Sequence, residues 1–97
     1  MTVEYHPDAA NDLNEAISYY NQQHTGLGDA LRADVYGAID RIAADPLRYP
    51  IIEHDVRRGF VRRFPYSVLF RLVGGDVIRI LVIRHHRRHQ DYGLVRR

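Results

Sequence analysis

Two apolar stripes at helical spacing limit what this chain can fold into. Leu13, Ala16, Ile17 and Tyr20 fall on one helical face, and Leu31, Val35, Ala38, Ile39 and Ile42 repeat that face further along. Between them Asn21 to Gly28 is polar and holds two glycines, so it reads as a turn. The pair is therefore expected to form an αα-hairpin. His6-Pro7-Asp8 opens the first helix: proline suits the first helical position, where its missing N–H costs nothing. Asp8, Asp12 and Glu15 lie toward the positive end of that helix's dipole. Asp45-Pro46 stops the second helix. Each stripe is only half of a core, so both helices need another layer to cover them.

The second half of the chain is expected to supply that layer as a sheet. Arg58 to Phe64 reads as a strand that Pro65 ends, because proline cannot donate to a ladder. Ser67 to Val73 and Val77 to Arg84 are rich in strand formers, and Gly74-Gly75-Asp76 joins them as a hairpin turn. Met1 to Tyr5 alternates weakly and reads as a short first strand. Parity turns Val68, Phe70 and Leu72, with Ile78, Ile80 and Val82, toward the helices. It leaves Ser67, Leu69, Arg71, Arg79, Leu81 and Ile83 on the other face, with the register across the two glycines free to shift by one. Arginine mixed with aliphatics on an outer face marks a binding surface. Tyr19-Tyr20 and Tyr49-Pro50 are expected in the seam between helices and sheet. The expected architecture is α+β: an N-terminal strand and an αα-hairpin packed on one face of a small antiparallel sheet. Ninety-seven residues allow one such domain, residues 1–97.

Charge is sorted along the chain. Residues 1–50 balance to −5 and residues 51–97 to +7, eleven of the fourteen arginines lying in the second half. One half is expected to present a positive field to an anionic partner, nucleic acid or an acidic protein. Without cysteine there is no disulfide framework and no cysteine-ligated metal site. No apolar run approaches the ~20 residues that span a bilayer, and no signal peptide is apparent, so the expected setting is the cytoplasm, with no membrane partner.

Two constellations carry candidate chemistry. In Arg57-Arg58-Gly59-Phe60-Val61-Arg62-Arg63-Phe64-Pro65-Tyr66, guanidinium groups that bind phosphate alternate with rings that can stack on bases. In Arg84-His85-His86-Arg87-Arg88-His89-Gln90-Asp91-Tyr92, histidine can move protons near neutrality, arginine can stabilise phosphoryl charge, and tyrosine can stack or donate. The second set fits a metal-free ribonuclease and equally a basic tail. His85 and His89 stand four apart, but no carboxylate sits at a helpful spacing, so no metal and no cofactor is expected.

Taken together the chain resembles the ParE/RelE superfamily of toxins from bacterial type II toxin–antitoxin systems. The likeness is carried by His6-Pro7-Asp8-Ala9-Ala10 with Asp12-Leu13, Glu15-Ala16 with Tyr19-Tyr20, and Gly26-Leu27-Gly28. It continues through Ile42, Pro46, Tyr49-Pro50, Val56-Arg57-Arg58 and Arg63-Phe64-Pro65-Tyr66 to Val82-Ile83-Arg84-His85 with Arg87-Arg88 and Tyr92. The resemblance implies a β-α-α-β-β-β fold and a cognate antitoxin with an acidic C-terminal segment. That segment would meet Arg57, Arg58, Arg62, Arg63, Leu69, Arg71, Arg79 and Leu81. Arg84, His85, Arg87, Arg88 and Tyr92 would meet the target. RelE-like members cut messenger RNA on the ribosome, whereas ParE-like members inhibit DNA gyrase. Ser67 stands where RelE-like proteins carry an arginine, and there is no lysine. The Arg-Phe-Pro-Tyr segment and the His-x-x-Arg ending resemble ParE-like members more closely. The alternative is an endoribonuclease using His85, Arg88 and Tyr92, with Arg63 or Arg71 holding phosphate. A non-toxic interaction module of the same fold is the remaining reading.

Overall fold

The first strand, β1 (Thr2–Tyr5), is laid down beside the last one in the chain. Two helices follow it, α1 (Pro7–Gln23) and α2 (Leu27–Ala44), then a 3-10 turn (Pro46–Arg48) and strands β2 (Ile51–Glu53), β3 (Val56–Phe60), β4 (Tyr66–Leu72) and β5 (Val77–His85). The computed structural model describes all 97 residues. The strands form one sheet in the order β1-β5-β4-β3-β2. The neighbours β2/β3, β3/β4 and β4/β5 are antiparallel, while β1 runs parallel to β5. The sheet is therefore mixed rather than purely antiparallel: no tight turn can join parallel neighbours, and here both helices and three further strands lie between β1 and β5. Helices cover one face. Leu13, Ala16 and Ile17 of α1 and Leu31, Val35, Ala38, Ile39 and Ile42 of α2 close over Val68, Phe70, Ile78 and Ile80. Both helical stripes bury the residues their spacing predicts, except that Tyr20 is only half-buried at the edge of the core.

The turn between the helices is shorter than its glycines suggest. Gly26 takes φ 88°, but α2 begins at Leu27 and Gly28 is already helical. A Cβ on Gly28 would overlap the Ile17 carbonyl oxygen, so this glycine serves the close crossing of α1 and α2 instead of a turn. The Asn21 side chain accepts from its N–H at 2.8 Å. Strand β3 spans Val56–Phe60 rather than 58–64, and residues 61–65 leave the ladder ahead of Pro65.

A bulge revises the face assignment. Leu69 pairs with Val82 while Phe70 pairs with Ile80, so Leu81 is extra on β5 and parity reverses beyond it. Val82 joins the outer face with Leu81, and Ile83 turns to the helices. Tyr20 and Tyr49 do lie in the seam, against Phe64 and Phe70 respectively. Tyr19 does not: it is 57% exposed. No helix is long and apolar enough to cross a membrane.

Candidate functional site

The outer face of the sheet is not bare. Val56, Leu69, Leu81 and Val82 form a second apolar cluster, covered by Ile52 and by Tyr92 and Leu94 of the chain's own C-terminal segment. Leu69 and Leu81 are 0% and 1% exposed, so the expectation that both meet a partner on an open surface is corrected. The physical reason is local: four aliphatic side chains facing water would cost several kcal/mol, at about 1.5–3 kcal/mol each, and two apolar residues a few positions past β5 can cover them. Gly93 makes the approach possible, at φ 80° and directly over Val82. Arg84, expected to face a target, is 9% exposed; its Nη1 donates to the main-chain oxygens of Gln90 (2.7 Å) and Tyr92 (2.9 Å). It folds the segment back onto the sheet.

Asp12 locks the cover down. Strand β1 ends at Tyr5, which leaves the edge of β5 beyond Ile80 without a strand partner. There Asp12 accepts from the Ile83 N–H at 3.1 Å, and Arg96 donates to the Leu81 carbonyl at 3.0 Å. The same carboxylate accepts from the Tyr92 hydroxyl (2.8 Å) and from Arg96 (2.6 Å). Burial depresses the Arg96 pKa, but hydrogen bonds with Asp12 and Tyr92 outweigh it and hold the group above its ordinary value. Spacing points Asp12 only to the helix start, and Arg96 reads as tail. Nothing in the local pattern joins residues 84 positions apart.

The arginines divide by position along the strands. Toward the Arg71 end they are paired: Arg71 and Arg97 with Asp55 (3.1 and 2.9 Å), and Arg79 with Glu4 (2.6 Å). Arg71 and Arg79 also donate to the Arg97 main-chain oxygen, at 3.2 and 2.7 Å. The hydrogen bond from Arg71, resisted by burial and aided by Arg97, holds the Asp55 carboxyl below its usual range. Arg57 donates to the carbonyls of Tyr49 (2.7 Å) and Leu47 (3.4 Å). At the other end, where β3 and β5 finish and β4 starts, Arg58, Arg62, Arg63, Arg84, Arg87 and Arg88 form no ion pair.

Asp34 on α2 presents part of that end. Its carboxylate accepts from three consecutive main-chain N–H groups, those of Arg62 (3.3 Å), Arg63 (2.8 Å) and Phe64 (3.1 Å). The loop is thereby held with Arg62 and Arg63 exposed. Asp34→Ala is expected to cost about 1–2 kcal/mol, the scale of a partly exposed charge-assisted set. Amide exchange at residues 62–64 should rise with it. Unchanged exchange there would show that the loop holds itself.

A cleft of about 310 Å³ lies between α1 and the end of β5, lined by Asp12, Glu15, Tyr19, Tyr66, His85 and Arg88 among others. His85 accepts the Arg87 N–H on Nδ1 at 3.0 Å. Burial, then Arg87 and His86, hold its pKa below 6.5, so the ring is neutral at neutral pH. Burial, then Tyr20, pushes the Tyr66 phenol up to about 12. The structure brings Arg88 onto the ring of Tyr92, 4.3 Å from its centroid. The Tyr92 hydroxyl, however, is held by Asp12 and Arg96, so the His85, Arg88 and Tyr92 set does not present a free phenol. No group of three or more His, Asp or Glu side chains is placed to hold a metal ion.

The family model described as "ParE toxin of type II toxin-antitoxin system, parDE" matches residues 3–90. Among solved structures, a chain of "Chromosomal ParDE TA system from P. aeruginosa" superposes with a TM-score of 0.72 at 27% sequence identity, covering 88% of this chain and 95% of that one. No curated protein matches.

Proposed function

Because the chain belongs to the ParE toxin family of type II toxin–antitoxin systems, we propose that it arrests growth by binding DNA gyrase in the cytoplasm and is held off by the acidic C-terminal segment of a cognate antitoxin. The observation that carries this reading is the end of the sheet where six arginines lack a carboxylate. A cluster of one sign without counter-charges attracts an oppositely charged chain and speeds its association. Arg58, Arg62 and Arg63 are open to an acidic antitoxin segment. Arg57, Arg71 and Arg79 are already engaged within the chain, and Leu69 and Leu81 become reachable only if the Tyr92–Leu94 cover leaves. Arg87, Arg88 and the half-buried His85 are the residues left facing a target.

The test is a supercoiling assay with purified gyrase beside a translation assay. The protein is expected to inhibit supercoiling and spare translation. Replacing Arg87 and Arg88 together by glutamate should weaken inhibition by about tenfold or more, the scale of one lost charge-assisted contact. Growth arrest with supercoiling untouched would remove gyrase from the reading.

A further inference from the structure

One hollow on the outer face is lined without any acidic side chain. It holds about 250 Å³ and is lined by Arg58, Phe60, Ser67, Arg84, His86, Arg88 and Gln90. The register makes it a continuous patch: Phe60 pairs with Ser67, and Ser67 with Arg84. Glu53 and Asp91 line the adjoining hollow, next to Arg58 and Arg84.

Three features of this hollow are unfinished in the free protein. The Arg58 Nε is buried and has no hydrogen-bond partner. Such a donor costs free energy until something accepts from it. Arg58 and Arg84 stand close enough that the charge of Arg58, after burial, pulls the Arg84 pKa down, with Asp91 only partly opposing it. Phe60 is 55% exposed although it is a large apolar ring. The Arg58 guanidinium lies 4.8 Å from its centroid, and the His86 ring meets it edge-on at 5.4 Å. Its remaining surface is open at the rim.

We propose that this hollow is a nucleic-acid site, in which Arg58, Arg84 and Arg88 hold one backbone phosphate and Phe60 stacks on the neighbouring unpaired base. By turning its side chain toward a phosphate, Arg58 would give its orphaned N–H an acceptor, and the anion would place a negative charge between two guanidiniums that now repel each other. A base would cover the exposed Phe60 face, and the stack requires a single strand because duplex bases are closed to a flat ring. The assignment of that strand as DNA rests on the gyrase reading, in which the target carries DNA.

Fluorescence anisotropy with a labelled single-stranded DNA 12-mer tests the site. Binding is expected to weaken with salt at a slope near −0.7 per phosphate neutralised. Phe60→Ala and Arg58→Gln should each reduce affinity by about tenfold, within the range for one lost stack or phosphate contact. Phe60 is exposed, so its truncation leaves the fold intact and keeps the test sound if Arg58→Gln destabilises. Absence of binding at low salt, unaltered-protein affinity in both variants, or tighter binding of duplex or of RNA of the same sequence would each overturn the proposal. The two readings fail separately. Supercoiling inhibition without oligonucleotide binding removes this site and leaves gyrase as target. Oligonucleotide binding sensitive to both variants, without supercoiling inhibition, keeps the site and removes gyrase.

Discussion

Asp12→Ala is expected to destabilise the protein by about 3–5 kcal/mol, the cost of stranding a buried charge. The Asp12 and Arg96 side chains are only 6% and 11% exposed, and their closest contact is 2.6 Å. Removing the carboxylate leaves a desolvated guanidinium, an unanswered Tyr92 hydroxyl and an unpaired Ile83 N–H on the open edge of β5. The melting temperature should fall by more than about 10 °C. Asp8 lies 3.8 Å from the Arg96 Nε and is the one acid placed to take over. A loss under about 1 kcal/mol would mean that it does so and that Asp12 is not the anchor. The double variant Asp12→Leu with Arg96→Met removes both charges at once. It should recover part of the loss, since an apolar pair can replace a buried ion pair at little cost.

The fold was legible where order is local, and the site was not. Residues such as Leu31, Val35 and Ile42 announce their burial through spacing, because a helix face is decided within two turns. Gly74-Gly75 marks the β4–β5 hairpin for the same reason. Gly28 misleads because the demand on it comes from Ile17, eleven positions away, and a glycine chosen for close packing looks like one chosen for a turn. The bulge at Leu81 has no sequence mark: every residue from Ile80 to Ile83 is aliphatic, so a slip of one changes no local preference. Parity placed Leu69 and Leu81 on the outer face correctly. It could not say what lies over them, because Tyr92 and Leu94 follow a run of charge that reads as a solvated tail. The charge of the second half was visible as a sum. Which arginines are neutralised by Glu4 and Asp55, and which are left open, depends on contacts made after folding.

Gly93→Ala is expected to lift the C-terminal segment off the sheet while leaving the helical core folded. At φ 80° an alanine carries a left-handed penalty of about 1–2 kcal/mol. Its Cβ would also lie 2.5 Å from Val82 Cγ2, and Val82 is 0% exposed with no room to retreat. Overpacking of that kind adds about 1–3 kcal/mol. Together they rival the burial that Tyr92 and Leu94 gain over Val56, Leu69 and Leu81. Residues 90–97 should therefore lose amide protection, and the uncovered aliphatics should bind a hydrophobic dye, while exchange in α1 and α2 changes little. Adding Val82→Ala relieves the collision but not the backbone penalty, so protection should return only in part. Release also frees Arg71 and Arg79 from the Arg97 main-chain oxygen. The outer face then becomes the mixed arginine and aliphatic surface that its alternation implies, and an acidic segment should bind it more tightly than it binds the unaltered protein. Wild-type protection in Gly93→Ala would instead mean that the cover tolerates a side chain there and is not seated as closely as the Val82 contact requires.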